Sequence, residues 1–285
     1  MPSDLDYRSP STVDDALALM AEAPGAAFLL GGTDLLPQMR TGRRGPSTLV
    51  DLKRIPELRE IRETVDGCLS IGAAVPLADV ETHPAVRARY ALLAECVSTV
   101  GAWPLRQRAT LAGNICNASP AADTAVALLA FDAVVGAVSG EGHRTIPMSR
   151  FFTGPGRTAL RPGELVTEVV LPATCGGFAG SYLRLSRRKG MDLATVGVLV
   201  GRCNGRLPPR YRIALAAVAP TPIRATAAEE LLEARGSAAA AEAAELAMEA
   251  CAPITDVRGS AEYRREMVGV LVRRGLAMLE RRVRP

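Results

Sequence analysis

The alternation of apolar and polar positions predicts a small unit of helices and strands within residues 1–55. A helix with one apolar face, capped by Ser11, spans 11–23, and the apolar run 26–30 predicts a buried strand. A second helix is expected to start at Thr33-Asp34, before a short strand at 48–52. Helices and short buried strands in this order are typical of a parallel α/β unit.

The rest of the chain shows further strands and longer helices. The pattern predicts strands at 68–72, 133–135, 165–171, 193–200 and 213–218, and helices at 86–97, 226–250 and 260–282. Residues 108–123 are small or polar and show little periodicity. Pro172 and the run Cys175-Gly176-Gly177 predict a boundary between two units.

Composition and charge exclude several classes of protein. The 285 residues are 48% hydrophobic and 22% charged, as expected of a globular chain of two or three units. The net charge of +4 is small and aromatic residues make up 4%, so no nucleic-acid-binding surface is expected. The acidic start and the lack of a run of about 18 apolar residues predict a cytoplasmic protein without a membrane span.

Cysteine and histidine are too scattered for a metal site within this chain. The six cysteines lie at least 20 residues apart and form no CxxC pair, so free thiols are expected rather than ligands of zinc or of an iron–sulfur cluster. His83 and His143 are the two histidines. Because most hydrolytic triads and metal sites depend on histidine, both classes are disfavoured.

The first candidate site is the glycine pair in Leu30-Gly31-Gly32-Thr33-Asp34, between the predicted strand and helix. Glycines let the backbone approach a ligand, and free N–H groups at a helix start bind phosphate oxygens. An ordinary strand-to-helix turn is the alternative interpretation. The turn is not a Walker loop, because the chain has no Gly-Lys pair. The near match to GxGxxG at 154–159 runs into Pro162-Gly163 and cannot open a helix.

The second candidate site begins at Arg108 and continues to Asp123. Thr110 offers a hydroxyl and Asn114 an amide, while the residues between them are expected to leave backbone N–H groups open, notably those of Ala112 and Gly113. A polar surface loop is the alternative. Two such loops in separate units, with a carboxylate nine residues after Asn114, indicate a nucleotide cofactor held between them.

Four motifs follow one another along the chain: residues 30–36 (LGGTDLL), 108–114 (RATLAGN), 118–123 (ASPAAD) and 163–172 (GELVTEVVLP). Their order and approximate spacing resemble the FAD-binding medium subunit of molybdenum hydroxylases, the family of xanthine dehydrogenase and aerobic carbon monoxide dehydrogenase. The resemblance covers nearly the whole chain. Each motif is weak alone, and together they are specific.

The resemblance implies a mixed α/β (α+β) fold in three parts. Residues 1–55 would form subdomain 1, small and parallel, of an FAD-binding fold of the vanillyl-alcohol oxidase type. Residues 56–175 would form subdomain 2, a mostly antiparallel sheet with helices. Residues 176–285 would form a C-terminal α/β domain of the carbon monoxide dehydrogenase flavoprotein type.

The resemblance also implies which residues bind FAD, and it assigns neither a catalytic side chain nor a metal ligand to this chain. The two loops that would hold the diphosphate comprise Phe28, Leu29, Leu30, Gly31, Gly32, Thr33, Asp34 and Leu35, and Thr110, Leu111, Ala112, Gly113 and Asn114. Asp123 matches a carboxylate near the cofactor, Val166 an apolar residue near the flavin ring, and Arg184 a basic residue. Val100 or Gly101 occupies the stretch where relatives place a ring-stacking aromatic. Ala112 replaces a glycine of the family, and its methyl group would crowd the phosphate if φ were positive there.

By the same resemblance, the chain is an electron-transfer subunit of an oxidoreductase complex that binds FAD non-covalently. A large molybdopterin-binding subunit would hold the molybdenum cofactor, and a small subunit would carry [2Fe–2S] clusters that deliver electrons to FAD. The external acceptor would be NAD or another oxidant, and the assembly a dimer of heterotrimers. The 4-hydroxybenzoyl-CoA reductase branch is disfavoured, because its cysteine-rich cluster insert is not seen in this sequence.

Two other functions are left open by the sequence. A stand-alone flavin oxidase of the same fold would often carry a histidine-linked flavin, and both histidines lie outside the two loops. A structural subunit that has lost its cofactor would be consistent with Ala112 in the second loop.

Overall fold

The computed structural model describes residues 5–173, 177–203 and 210–283. Its strands form sheets of three, five, four and two strands, with helices packed against the larger sheets. The expected mixed α/β class is therefore confirmed. The predicted boundary after residue 175 falls on residues 174–176, which lie outside the described residues.

The first elements form a small parallel sheet. They are β1 (Asp6–Arg8), α1 (Val13–Glu22), β2 (Ala27–Leu29), α2 (Leu35–Arg40) and β3 (Thr48–Asp51). The strand order is β1-β3-β2 and both pairs are parallel, as the sequence predicts. The pattern misses β1 because all three of its residues are exposed. Helix α1 is capped by Thr12 rather than Ser11: the Thr12 hydroxyl accepts a hydrogen bond from the Asp15 N–H at 3.1 Å.

The central part is built on a five-stranded antiparallel sheet of order β4-β5-β10-β6-β7. The strands are β4 (Ile61–Glu63), β5 (Leu69–Gly72), β6 (Val134–Ser139), β7 (Gly142–Pro147), the short pair β8 (Phe152–Gly154) and β9 (Arg157–Thr158), and β10 (Leu165–Leu171). The helices are α3 (Leu77–Thr82), α4 (Pro84–Arg89), α5 (Ala91–Ser98), α6 (Trp103–Arg106), α7 (Leu111–Cys116) and α8 (Asp123–Ala130), with short 3-10 helices at Leu52–Arg54, Pro56–Arg59 and Met148–Arg150. The sheet and its helices share one apolar core.

One prediction for the central part is wrong. The single helix expected over 86–97 is two helices, α4 and α5, divided at Tyr90. Tyr90 leaves the helical conformation at φ −129° and ψ 43°, and its buried hydroxyl donates a hydrogen bond to the Pro172 carbonyl oxygen at 2.8 Å. The segment 108–123, which shows little periodicity, contains α7 and the start of α8. A helix of six residues is too short to display a helical period.

The C-terminal part is a four-stranded antiparallel sheet of order β11-β12-β13-β14, followed by helices. Its elements are β11 (Phe178–Leu185), β12 (Val196–Cys203), β13 (Arg210–Ala216), β14 (Ile223–Arg224), α9 (Thr226–Arg235), a 3-10 turn (Gly236–Ala239), α10 (Ala240–Glu249) and α11 (Ala261–Val283). The helix predicted over 226–250 is interrupted at Gly236, whose φ of +64° ends α9. Among the described residues, no helix combines the length and the apolar character needed to cross a membrane.

The two faces of this C-terminal sheet belong to different apolar cores. Val198 and Val200 of β12 pack in the core formed with α9, α10 and α11. Leu199 between them packs instead in the central core, where β12 and β13 contact α8 and β11 contacts α5. Because successive side chains of a strand point to opposite faces, one sheet serves both cores.

The cysteines are not all thiols. Cys68, Cys96, Cys116 and Cys251 are free, whereas Cys203 is disulfide-bonded. The expectation that every cysteine remains a thiol is therefore wrong for Cys203.

Candidate functional site

The two loops singled out in the sequence lie against each other. The first connects β2 to α2, and the second leads into α7. A Cβ atom on Gly31 would lie 2.2 Å from the carbonyl oxygen of Arg108 and 2.8 Å from the Cα of Ala109. Only glycine permits this approach, so Gly31 joins the first loop to the start of the second.

A cavity of about 680 Å³ opens where the loops meet. Its volume lies within the range of roughly 300–1,000 Å³ that is typical of cofactor sites. Most of the residues expected around FAD line it: Phe28, Leu29, Leu30, Gly31, Gly32, Thr33, Asp34, Leu35, Val100, Gly101, Thr110, Gly113, Asn114, Asp123 and Val166. Leu111, Ala112 and Arg184 are not among the lining residues.

The first loop offers a row of backbone donors to the cavity. Within the described part of the chain, no hydrogen bond has the N–H of residues 31–35 as its donor. Gly32 takes up a φ of +71°, a left-handed conformation that glycine adopts without strain. The Lys53 ammonium donates to the Leu30 carbonyl oxygen at 3.0 Å and lies 2.8 Å from the Asp51 carboxylate. Free N–H groups on successive residues of a loop suit the binding of phosphate oxygens.

The second loop differs in detail from the expectation. The Thr110 hydroxyl caps α7 by accepting a hydrogen bond from the Gly113 N–H at 3.0 Å, so that N–H is not open to a ligand. The Asn114 side-chain oxygen accepts a hydrogen bond from the Thr124 hydroxyl at 2.6 Å. This contact leaves the amide nitrogen of Asn114 as the group that can donate towards the cavity.

Ala112 does not crowd the cavity. Among the described non-glycine residues, positive φ angles occur at Ala118, Asp132 and Ala217, not at Ala112. The Ala112 methyl group is buried in the central core, in the first turn of α7. The steric conflict that would follow from a positive φ is therefore absent at this residue.

Asp123 is a buried carboxylate at the cavity wall, in the first turn of α8. The Tyr182 hydroxyl donates a hydrogen bond to Asp123 Oδ1 at 2.5 Å, and Arg184 Nε lies 3.1 Å from the same oxygen. Burial raises the pKa of Asp123 above its ordinary value, while Tyr182 and Arg184 act in the opposite direction. Arg184 thus reaches the site through Asp123.

Sequence reasoning misses Tyr182, although one signal was present. Tyr182 and Arg184 lie two residues apart on β11, so they point to the same face of the sheet. Had β11 been recognised as a strand, the position of Arg184 would also have placed Tyr182 at the site.

Further charged residues line the cavity that the sequence alone does not single out: Arg44, Glu164, Arg188 and Asp192. Glu164 is held by Arg144, whose Nε and Nη2 donate hydrogen bonds at 2.6 and 2.7 Å, and by the Arg161 N–H at 2.6 Å. The hydrogen bond from Arg144 is the main cause of the lowered pKa of Glu164. No spacing signal links Arg144 to Glu164, because β7 and β10 are brought near each other only by pairing on either side of β6.

An apolar wall faces these charges. Val166 of β10 is buried beside a register shift between Val166 and Glu168. Gly101 has a φ of +57°, and a Cβ there would lie 2.9 Å from Leu105 Cδ2. The carbonyl oxygen of Val100 accepts a hydrogen bond from Arg106 at 3.0 Å, which fixes this stretch. The wall is therefore suited to an apolar ring face.

The described residues contain no cluster of three or more His, Cys, Asp or Glu arranged to hold a metal ion. Neither His83 nor His143 lines the cavity. The donors on its wall are backbone N–H groups, hydroxyls, amides and guanidinium groups, which suit an anionic organic cofactor.

Comparison with known proteins identifies the family. The family described as the FAD binding domain in molybdopterin dehydrogenase matches residues 3–174, and the CO dehydrogenase flavoprotein C-terminal domain matches residues 181–279. The carbon monoxide dehydrogenase medium chain of Hydrogenophaga pseudoflava is 36% identical over 280 residues, covering 97% of each chain. The xanthine dehydrogenase FAD-binding subunit of Escherichia coli O157:H7 is 31% identical, covering 94% of this chain and 93% of that one.

A solved structure agrees with these sequence matches. The structure of carbon monoxide dehydrogenase from Hydrogenophaga pseudoflava lacking the Mo-pyranopterin moiety of the molybdenum cofactor contains a chain that superposes with a TM-score of 0.93. The two chains are 36% identical, and 99% of each is covered. The paired loops, the cavity between them and these full-length matches agree, so the chain belongs to the family of FAD-binding medium subunits of molybdenum hydroxylases.

Proposed function

We propose that the cavity between the two loops binds FAD non-covalently and that the chain transfers electrons through it within a molybdenum hydroxylase complex. The observation that carries this proposal is the meeting of both loops at one cavity, in a chain of an FAD-binding family. The first loop spans Phe28 to Leu35 and the second Thr110 to Asn114, with Leu111 and Ala112 contributing through the helix they form rather than through the cavity wall.

The diphosphate of FAD would lie against the first loop. The N–H groups of residues 31–35 are free to donate to its oxygens. The Thr110 hydroxyl and the Asn114 amide face the same cavity from the second loop. Two sets of donors on opposite loops would fix both phosphates.

The flavin ring would lie against the apolar wall. The side chains of Val166 and Val100 carry no hydrogen-bonding group, so this side of the cavity would favour a ring face over water. Asp123, held by Tyr182 and Arg184, would place a carboxylate next to the ring system. These residues bind and orient the cofactor, and none of them is proposed as a catalytic residue.

When bound, FAD would supply the electron chemistry, and the protein would supply its binding and orientation. In the proposed complex, a large molybdopterin-binding subunit carries the molybdenum cofactor and a small subunit carries the [2Fe–2S] clusters. Electrons from those clusters would pass through FAD to NAD or another external acceptor. We propose a dimer of heterotrimers for the assembly and the cytoplasm for its location.

We also propose the three-part division of the chain, with residues 1–55 and 56–175 forming the two FAD-binding subdomains and 176–285 the C-terminal domain. The three larger sheets support it, because each proposed part contains one of them. The contact of β11 with Asp123 means that the C-terminal domain would complete the flavin site.

The experiment that tests the proposal is release of the cofactor from the protein purified with its accompanying subunits. Acid treatment followed by mass spectrometry of the supernatant should recover one FAD per chain. Flavin that remains on the polypeptide would point to a covalent oxidase, and a complete lack of flavin would point to a structural subunit. Either outcome overturns the proposed function.

A further inference from the structure

Asp123 lies at a junction between the cavity and the C-terminal sheet. Asp123 lines the cavity and is only 7% exposed. It also meets β11: the Tyr182 hydroxyl donates a hydrogen bond to Oδ1, and Arg184 Nε lies 3.1 Å from the same oxygen. Both contacts therefore fix the same carboxylate oxygen.

The Tyr182 ring is held in one position. It is 6% exposed, and its hydroxyl fills the space left by Gly197 on β12, where a Cβ would lie 2.6 Å from Tyr182 Oη. The Tyr182 N–H donates to Glu95 Oε1 at 3.4 Å. This packing and the hydrogen bond to Asp123 hold the Tyr182 side chain in place.

The charged and titratable groups that interact with Asp123 are Tyr182 and Arg184 of β11 and Cys96 of α5, and Glu95 lies beside Cys96 and the Tyr182 N–H. Burial raises the pKa values of the Cys96 thiol and the Tyr182 phenol well above their ordinary values, so both stay neutral at ordinary pH. Burial also raises the pKa of Asp123, and the Tyr182 hydrogen bond is the largest influence that lowers it. Loss of that bond alone would raise the pKa of Asp123 further.

We propose that Tyr182 is a positioning residue that keeps the Asp123 carboxylate ionised and oriented against the bound flavin. This inference rests on the proposed FAD site. A negative charge beside the flavin opposes the addition of electrons, and protonation of Asp123 removes that opposition. By linkage, the pH at which Asp123 takes up its proton marks a change of slope in the flavin reduction potential plotted against pH.

The test is a spectroelectrochemical titration of the FAD-loaded protein, purified with its accompanying subunits, at a series of pH values. The electrode supplies the electrons and the buffer supplies the protons. In Tyr182→Phe, which keeps the ring and removes one hydroxyl, the change of slope should move up by about one to two pH units, the size of a hydrogen bond to a charged group. In Asp123→Asn it should vanish.

Tyr90→Phe is the matched control. Tyr90 is also buried and its hydroxyl donates to a backbone carbonyl oxygen at 2.8 Å, but that oxygen belongs to Pro172 and not to the Asp123 carboxylate. This variant should lose comparable stability and keep the wild-type pH profile. Replacement of Tyr182 by 3-fluorotyrosine, a more acidic phenol and stronger donor, should shift the change of slope to lower pH, which gives a second readout with the opposite sign.

An unchanged profile in Tyr182→Phe with full FAD content would overturn this inference alone. If the plot of flavin reduction potential against pH still changed slope in Asp123→Asn, the inference would also be overturned. Failure of the wild-type protein to hold FAD would instead overturn the proposed function, and the inference with it.

Discussion

Gly31 packs directly on the carbonyl oxygen of Arg108, with no room for a single methyl group between them. This contact joins a loop of the small parallel sheet to a loop of the central part. The cavity depends on it, because both loops provide its walls.

Gly31→Ala should therefore open the cavity. The added Cβ would sit 2.2 Å from the Arg108 oxygen, so the loops must separate, at a cost of about 1–3 kcal/mol in unfolding free energy. FAD content, measured as the flavin-to-protein absorbance ratio, should fall strongly. Gly45→Ala is the control, because nothing lies within 4 Å of a Cβ there. Equal FAD content in the two variants would show that the loop contact is not required.

Gly32→Glu should abolish FAD binding. The new carboxylate would lie at the loop that offers its free N–H groups to the diphosphate, where like charges repel. Gly42→Glu is matched to it, since Gly42 has the same φ of +71° and open space around it. Isothermal titration with FAD after cofactor removal measures both variants. Normal affinity in Gly32→Glu would remove the first loop from the site.

Thr110→Val should weaken FAD binding and destabilise the fold together. It deletes the hydroxyl that caps α7 through the Gly113 N–H, a loss of about 1 kcal/mol. Thr12→Val removes the comparable cap of α1, outside the cavity. Chemical denaturation should show similar losses in both, whereas FAD affinity should fall only in Thr110→Val. Parallel losses of affinity would mean that the second loop acts through stability alone.

Glu164 should make the stability of the chain depend on pH. Arg144 and the Arg161 N–H hold its pKa below the ordinary 4.5, so its contribution is present above that pH and is lost as pH falls through the lower folded-state value. Glu164→Gln should reduce the unfolding free energy at pH 7 and flatten its decline below about pH 4.5. Glu141→Gln, at a side chain 87% exposed, should change neither. Urea titrations at pH 7 and in the acidic range measure the difference.

Much of the fold followed from the sequence because its signals were local. The apolar run at 26–30 and the two glycines that end it predict a strand and a turn from a few neighbouring residues. The structure has β2 there. The break at Tyr90 is different, because a hydrogen bond to the Pro172 carbonyl, 82 residues away, accompanies it. Apolar spacing continues across that break, so no window of sequence shows it.

In the candidate site, too, some residues could be predicted from the sequence and others could not. The glycine loops and Asp123 belong to short motifs of neighbouring residues, so the sequence and the family resemblance indicate them. Arg144 with Glu164, and Tyr182 with Asp123, meet through sheet pairing and helix packing over 20 and 59 residues. Their partnership depends on register, which short-range patterns do not encode.

The sheet shared between two cores limits how this chain could be recombined. Leu199, Ala214 and Ala216 belong to the core of the central part, although they lie on C-terminal strands. A chain cut between the two parts would expose that apolar face on one fragment and α8 on the other. Exchange of C-terminal parts between relatives should therefore succeed only when the packed faces of α8 and of β12 and β13 are exchanged together.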